Sequence, residues 1–261
     1  MIYNTPKVSV LMAVRNGQEF IYESIKSILN QNYKNFEIII INDYSTDDTK
    51  EIIEKIKSKK IKIINLKKNC GPYKALDMGL KKISGKYISI LDSDDIIHPN
   101  KLKSQVKELE YNQKVGLVAT WYKVIDKKNK IIKTFKINSN KDFFNFVFPC
   151  QNLICNSSVM FRRNVLKKIK FYNKSFFYSN DYHFYLKIFV HYKIIIIKKF
   201  YTYYRFHLNQ RTHDKKLKSI IYKENLMNLD WAKRNNLINS SNIFLYYKNY
   251  LKNYLKLIFY Y

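Results

Sequence analysis

Apolar runs about five to seven residues long alternate, over the first hundred positions, with segments whose apolar residues recur three and four apart. The runs at 8–14 (VSVLMAV), 36–42 (FEIIIIN), 61–66 and 87–91 read as strands, because near-continuous apolar stretches of this length belong to strands buried on both faces. Between them, Phe20, Ile21, Ser24, Ile25, Ile28 and Leu29 make a helical stripe over 20–30, and Ile52, Ile53 and Ile56 make another over 46–57. A third helix opens at Gly71 and Pro72 and runs to Ile83. Strand and helix alternating through short connections predict an α/β fold with a mainly parallel sheet flanked by helices.

Beyond a helix at 101–112 the pattern is less regular. Strands are expected at 115–120, 131–135, 158–161 and 194–198, with a turn at 126–130 and a helix at 180–190 that buries Tyr182, Tyr185, Leu186 and Phe189. In the tail, 242–261, Lys248, Lys252 and Lys256 with Asn249 and Asn253 form one stripe and Phe244, Tyr247, Leu251, Tyr254, Leu255 and Ile258 another. Such a helix suits a membrane interface, and equally suits packing on its own domain or on a second subunit. The expected organisation is an α/β domain over 1–210 with a C-terminal amphipathic helical extension over 211–261.

Composition changes this picture little. A hydrophobic content of 46% supports a full core, and only 5 Gly and 4 Pro leave no room for long flexible linkers. The formal charge of +28 invites a nucleic-acid or membrane-surface partner, but it is spread along the chain, and the Lys, Asn, Ile and Tyr bias is what AT-rich coding gives whatever the function. Cys70, Cys150 and Cys155 form an odd set without metal-site spacing, which fits a reducing compartment. The apolar stretch near the start is too short for a signal segment, and no run is long enough to span a bilayer, so the cytoplasm is expected, including the inner face of a membrane.

The chemistry gathers where strands end. In a parallel α/β sheet ligands collect beyond the C-terminal strand ends, and each expected strand here ends in small, polar or acidic residues. Ala13, Val14, Arg15, Asn16 and Gly17 follow the first; Asn42, Asp43, Tyr44, Ser45 and Thr46 the second; Asn69, Cys70 and Gly71 the third; Asp92, Ser93, Asp94 and Asp95 the fourth. Packed carboxylates repel one another and persist most easily with a divalent cation, for which hard oxygen donors suit Mg²⁺ or Mn²⁺. The bland reading is an Asp-rich turn, with Asp95 and Pro99 opening the helix at Lys101, Asp43 capping the second helix and Asp181 capping the helix at Tyr182.

The segments VSVLMAVRNG, SILNQNYKNFEIIIINDYSTDDT, NCGPYKALDMGLKKISGKYISILDSDD, HPNKL and NDYHFYLKI, in this order, resemble the family 2 glycosyltransferases of GT-A fold. The resemblance implies inverting transfer of a sugar from a nucleoside diphosphate sugar, typically UDP-linked, to an acceptor hydroxyl of a glycan or lipid-linked glycan. It implies that Ala13, Arg15, Asn16, Asp43, Gly71, Lys74, Asp92 and Ser93 contact the donor, Asp43 holding the base. Asp92, Asp94 and His207 would serve the metal, Mn²⁺ or Mg²⁺, and Asp181 would be the general base.

Departures from the family pattern are Leu76, where an Arg is frequent, with Lys74 nearby to supply the charge; Arg15, where an aromatic is frequent; and Asn180, where a Glu is usual. The absence of a Gln-x-x-Arg-Trp motif argues against processive synthesis. A nucleic-acid-binding protein is disfavoured because the clustered carboxylates would repel phosphates. A dehydrogenase is disfavoured because the first turn lacks the required glycines, and a nucleotidyltransferase because that turn is not a basic, Gly-rich loop. A non-catalytic nucleotide-binding scaffold is the remaining alternative.

Overall fold

A computed structural model describes residues 6–208, 210 and 217–258. The parallel half of the sheet follows the apolar runs: β1 (Val8–Val14), β2 (Phe36–Asn42), β3 (Ile61–Asn65) and β4 (Tyr87–Ile90) lie in the order β3-β2-β1-β4. Every residue of β2 is buried, as a near-continuous apolar strand between two helical layers requires, and its one charge, Glu37, is held by Ser9, Ser84, Lys7 and Lys62. The helices α1 (Ile21–Leu29), α2 (Thr49–Lys55) and α3 (Pro72–Leu80) connect them. Gly79 lets α3 press on the sheet, since a Cβ there would lie 2.5 Å from Ile41 Cδ1 and 2.6 Å from Leu11 Cδ1.

After β4 come the two-residue β5 (Ile96–Ile97), α4 (Lys101–Tyr111), β6 (Val115–Ile125), β7 (Ile131–Phe135), α5 (Lys141–Val147), β8 (Met160–Arg162), α6 (Asn180–His191) and β9 (Lys193–Arg205). The sheet continues β4-β8-β6-β9-β5 with β7 on β6; β8 runs antiparallel to β4 and β6, and β9 parallel to β6. One core layer joins α1, α2 and α4 through Ile21, Ile25, Ile53, Leu102 and Val106; the other joins α3, α5 and α6 through Leu76, Phe144, Phe184 and Leu186.

Two strands are longer than the sequence predicts. β6 runs five residues past 120, and β9 runs to Arg205 instead of stopping at 198. The lysines at 198 and 199 interrupt the apolar run of β9, but its pairing with β6 continues through Phe200, Thr202 and Tyr204 after irregularities near Thr120 and Trp121. The long pairing thus overrides local propensity. The second helix starts at Thr49, not 46, because residues 45–49 are tied to the first loop as described below.

The C-terminal part, expected as a helical extension with one helix drawn at 242–261, holds two helices, α7 (Lys218–Arg234) and α8 (Ile243–Ile258). A small core of Cys150, Leu229 and Tyr246 joins both helices to the turn after α5. The boundary expected at 210/211 falls against residues 211–216, and the end of the expected tail helix at 259–261; both lie outside the described residues. Among the described residues no helix is long and apolar enough to cross a membrane.

Candidate active site

Strand order puts the loops after β1, β2, β3 and β4 side by side, and side chains then tie them to one another. Asn16, in the left-handed region at φ 52°, accepts from Thr46 N at 2.9 Å, and its own N–H donates to Ser45 Oγ at 3.0 Å. Gly17 N donates to Thr49 Oγ1 at 2.8 Å. Asp43 is buried, its two oxygens accepting from Cys70 N at 2.8 Å and Gly71 N at 2.9 Å. Gly71 has φ 85°, a conformation that L side chains rarely adopt. Asp43 is therefore a fixed post between the second and third loops and not a helix cap; α2 starts after Asp48 with no side-chain capping bond.

The acidic turn is built by partners from distant elements. Asp95 is fully buried, accepting from Arg205 N at 2.8 Å and from the Ser157 hydroxyl. It thus anchors the turn and does not open α4, which begins six residues later behind Asn100. Arg205, also fully buried, donates through Nε to Asp94 O at 2.8 Å, pairs with Glu23 at 2.8 Å and stacks over the Phe20 ring at 4.6 Å. With its backbone held, Asp94 directs Oδ2 to His207 Nε2 at 3.0 Å. Asp92 accepts from Asn156 Nδ2 at 2.9 Å, and Asn156 Oδ1 accepts from Tyr185 on α6 at 2.8 Å. Burial, then the charge of Asp94, pushes the Asp92 carboxyl up to about 7, and the same causes hold Asp95 well above the ordinary range.

Asp181 stands in the first turn of α6, but the position before that helix is Ser179 and no side chain caps it, so capping does not account for Asp181. Burial raises its carboxyl to about 6, against the lowering effect of the Tyr182 N–H and the Tyr73 hydroxyl. The segment leading into α6 is gripped from α7: buried Glu224 accepts from three consecutive backbone donors, Phe177 N at 2.5 Å, Tyr178 N at 2.8 Å and Ser179 N at 2.7 Å.

These walls enclose a cavity of about 840 Å³. Ala13, Arg15, Asn16, Asp43, Gly71, Asp92, Ser93, Asp94, Asp181 and His207 all line it. Lys74 does not. Pro72, Tyr73 and Leu76 form the cavity face of α3, and Lys74, two residues before Leu76 on a helix with 100° per residue, is turned out to solvent. Leu76 itself, expected as a gap in the charge of the site, is part of the wall. Asn156, Tyr73, Phe177, Tyr178 and Gln210 also line it, and the sequence reading missed all of them. Only the frequency of Tyr and Asn could have hinted at them.

Comparison with known proteins agrees with this architecture. Residues 9–170 match Glycosyl transferase family 2. The chain belongs to that family. A Haemophilus influenzae relative, an uncharacterized glycosyltransferase, is 38% identical over 196 residues, covering 71% of this chain and 61% of its own length. One from Methanocaldococcus jannaschii, also an uncharacterized glycosyltransferase, is 32% identical over 242 residues, covering 90% of this chain and 83% of its own length. The chain thus spans under two thirds of the length of the Haemophilus protein, and only 21% of a Rickettsia bellii relative that is 44% identical over 149 residues.

Among solved structures, S. aureus TarS residues 1–349 in complex with UDP-GlcNAc superposes with TM-score 0.72 at 19% identity, covering 96% of this chain and 73% of that one. The mannosyltransferase PcManGT of Pyrobaculum calidifontis, in complex with GDP-Man and Mn²⁺, gives 0.71 at 19% identity, covering 99% and 74%. At such identities the likeness establishes the fold, the GT-A arrangement of the family.

The donor set of the acidic turn fits a divalent cation shared with a substrate. No group of three or more His, Cys, Asp or Glu side chains closes as a metal cage among the described residues. The Asp94 oxygen and the His207 nitrogen nevertheless meet at 3.0 Å beside the crowded Asp92, and the second ring nitrogen of His207 is buried with no hydrogen-bond partner. Mg²⁺ and Mn²⁺ are commonly held by one or two protein ligands plus substrate phosphates.

Proposed function

We propose that the protein transfers a sugar, with inversion, from a nucleoside diphosphate sugar, with uridine as the base, to a hydroxyl of a glycan or lipid-linked glycan. The observation that carries this reading is the gathering of Asp43, Asp92, Asp94 and Asp181, from three separate segments, around one cavity. Nucleotide sugars in the complexes of TarS and PcManGT support the donor class; their bases differ, so the uridine assignment rests on the position of Asp43.

In this reading the donor lies across the loops after β1 to β4, its base end toward Asp43 and its diphosphate toward the acidic turn. Asp94 and His207 would hold Mn²⁺ or Mg²⁺, with Asp92 beside them, and the bound cation supplies Lewis-acid stabilisation of charge on the leaving diphosphate. Arg205 and Asp95 keep that turn in place. Asp181, on α6, takes the proton of the acceptor hydroxyl as the new carbon–oxygen bond forms. With its carboxyl near 6 it is mostly ionised at neutral pH and still basic enough to accept. Its position on an element separate from the acidic turn supports single displacement. Tyr73, Phe177 and Tyr178 line the cavity close to it in sequence or by hydrogen bond and offer an aromatic wall for an acceptor sugar. The catalytic unit is placed in 1–210, with 211–261 as its helical extension.

The test is thermal unfolding with UDP, GDP and their sugars, with and without Mn²⁺, because a ligand held only by the native state raises apparent stability. A Mn²⁺-dependent shift with UDP compounds is expected, lost in Asp94→Ala and kept in Asp181→Asn, which stops turnover. No shift with any nucleotide would overturn this reading; a nucleotide shift without turnover of any sugar would leave the non-catalytic scaffold in its place.

A further inference from the structure

We propose that α8 is a docking surface for an anionic lipid bilayer. The helix is attached to the body by one side only: Tyr246 is its one buried residue among those described, with Asn249 and Asn253 bonding to Cys150 O at 3.4 Å and Asn225 at 3.2 Å. About 120° round the helix from Tyr246, the side chains of Phe244, Tyr247, Leu251, Tyr254, Leu255 and Ile258 fall within one sector of roughly 100°. All six are exposed, from 44% for Leu255 to 80% for Phe244. The helix is 16 residues, about 24 Å, long, so this is a continuous apolar strip of a size that isolated soluble proteins seldom leave open.

What covers the strip is indicated by the charges beside it. Lys248, Lys252 and Lys256 run along one edge, the exposed Lys233 of α7 lies 5.5 Å from the Tyr247 ring at the other, and α8 contains no acidic residue. An apolar strip with Tyr among its members and a lysine row alongside matches the boundary between headgroups and acyl chains, where Tyr is favoured and Lys meets anionic lipid. A second copy of the chain is the weaker occupant, because each copy carries a formal +28.

Flotation of the full chain with vesicles tests this, using phosphatidylcholine alone and a mixture of phosphatidylcholine and phosphatidylglycerol. Binding only to the anionic mixture is expected. Replacing Lys248, Lys252 and Lys256 by Gln should weaken it roughly 100-fold, at about 1 kcal/mol for each lysine near the surface. Phe244→Ser with Leu251→Ser should weaken it at least about ten-fold through lost apolar burial. A control carrying the same charge change at exposed Lys57, Lys59 and Lys82 should bind nearly as the parent, and unchanged unfolding midpoints show that all variants fold. No flotation, equal flotation with both vesicle types, or an equal loss in the control overturns the proposal. So does a dimer in light scattering that Leu251→Ser dissociates, which would assign the strip to a second copy.

Discussion

Replacing Glu224 by Gln tests the link between the C-terminal helices and the candidate base. Glu224 is 2% exposed, and its carboxylate takes the three backbone N–H groups of Phe177, Tyr178 and Ser179. Gln can keep the two bonds on one oxygen but turns its NH₂ toward the N–H of Phe177. Hydrogen bonds to a charged group contribute about 1.5–3 kcal/mol each and neutral ones about 1, while removing a buried charge relieves part of its desolvation. The expected net loss is about 2 kcal/mol, or a fall in Tm of roughly 4–8 °C for a chain of this size. Activity carries a second signature. The negative charge of Glu224 is one of the influences holding the Asp181 carboxyl up, after burial as the main cause. Asp92, Cys155 and Tyr185 also face Asp181 and remain unchanged in the variant. The acid limb of the kcat profile, expected near pH 6, should therefore move to lower pH, and kcat should fall ten-fold or more as the segment before α6 loosens. Glu224→Asp should recover part of both. A lowered Tm with an unmoved acid limb and unchanged kcat would refute the reasoning and leave Glu224 as a purely structural clamp.

Three further outcomes follow from buried groups. Since the Asp181 carboxyl is raised to about 6 from 3.8, the native state holds its proton more tightly than the unfolded chain. Its contribution to stability is thus present at low pH and lost as pH rises through 6, so Asp181→Asn should raise stability at pH 8 by up to about 3 kcal/mol in urea titrations while removing turnover. Burial lowers the His183 imidazole to about 4, where it stacks on Phe176 at 4.3 Å; its contribution is present above pH 6.5 and lost as pH falls from 6.5 towards 4, and His183→Gln should flatten that slope in Tm. Arg205→Met keeps the backbone bond to Asp95 but leaves the Asp94 and Asp126 carbonyls and Glu23 without the guanidinium, and should cost about 3–5 kcal/mol, read from the urea midpoint; a loss below about 1 kcal/mol would show that the guanidinium does not hold the acidic turn.

The strands that lead into the first four loops of the cavity were legible because their physics is local. β1 and β2 are near-continuous apolar runs, broken only by Ser9, Glu37 and the terminal Asn42, whose ends coincide with the predicted ones, and their position fixes which loops meet. The distal half was less so. In α7 the buried positions include Glu224 and Asn228 beside Leu226, Leu229 and Ala232, so no apolar stripe announces the helix; those polar residues are inside because they satisfy backbone and side-chain groups of the segment carrying Asp181. Asn156 and Arg205 were invisible for a similar reason. Their importance comes from partners more than sixty positions away, which no window of sequence contains. Lys74 is the opposite case: a charge close to the motif in sequence stands on the exposed side of α3, while Leu76 lines the cavity.

The ties between the first three loops, Asn16 to Thr46 and Asp43 to Cys70 and Gly71, have a thermodynamic consequence. That end of the cleft, where the proposed donor base would lie, is already assembled, so little chain freedom remains to be surrendered there on complex formation. Calorimetry should accordingly register capture of a free nucleotide with only a small ordering penalty. Any large entropic loss would belong to the sugar and its recipient, at the far end of the cleft.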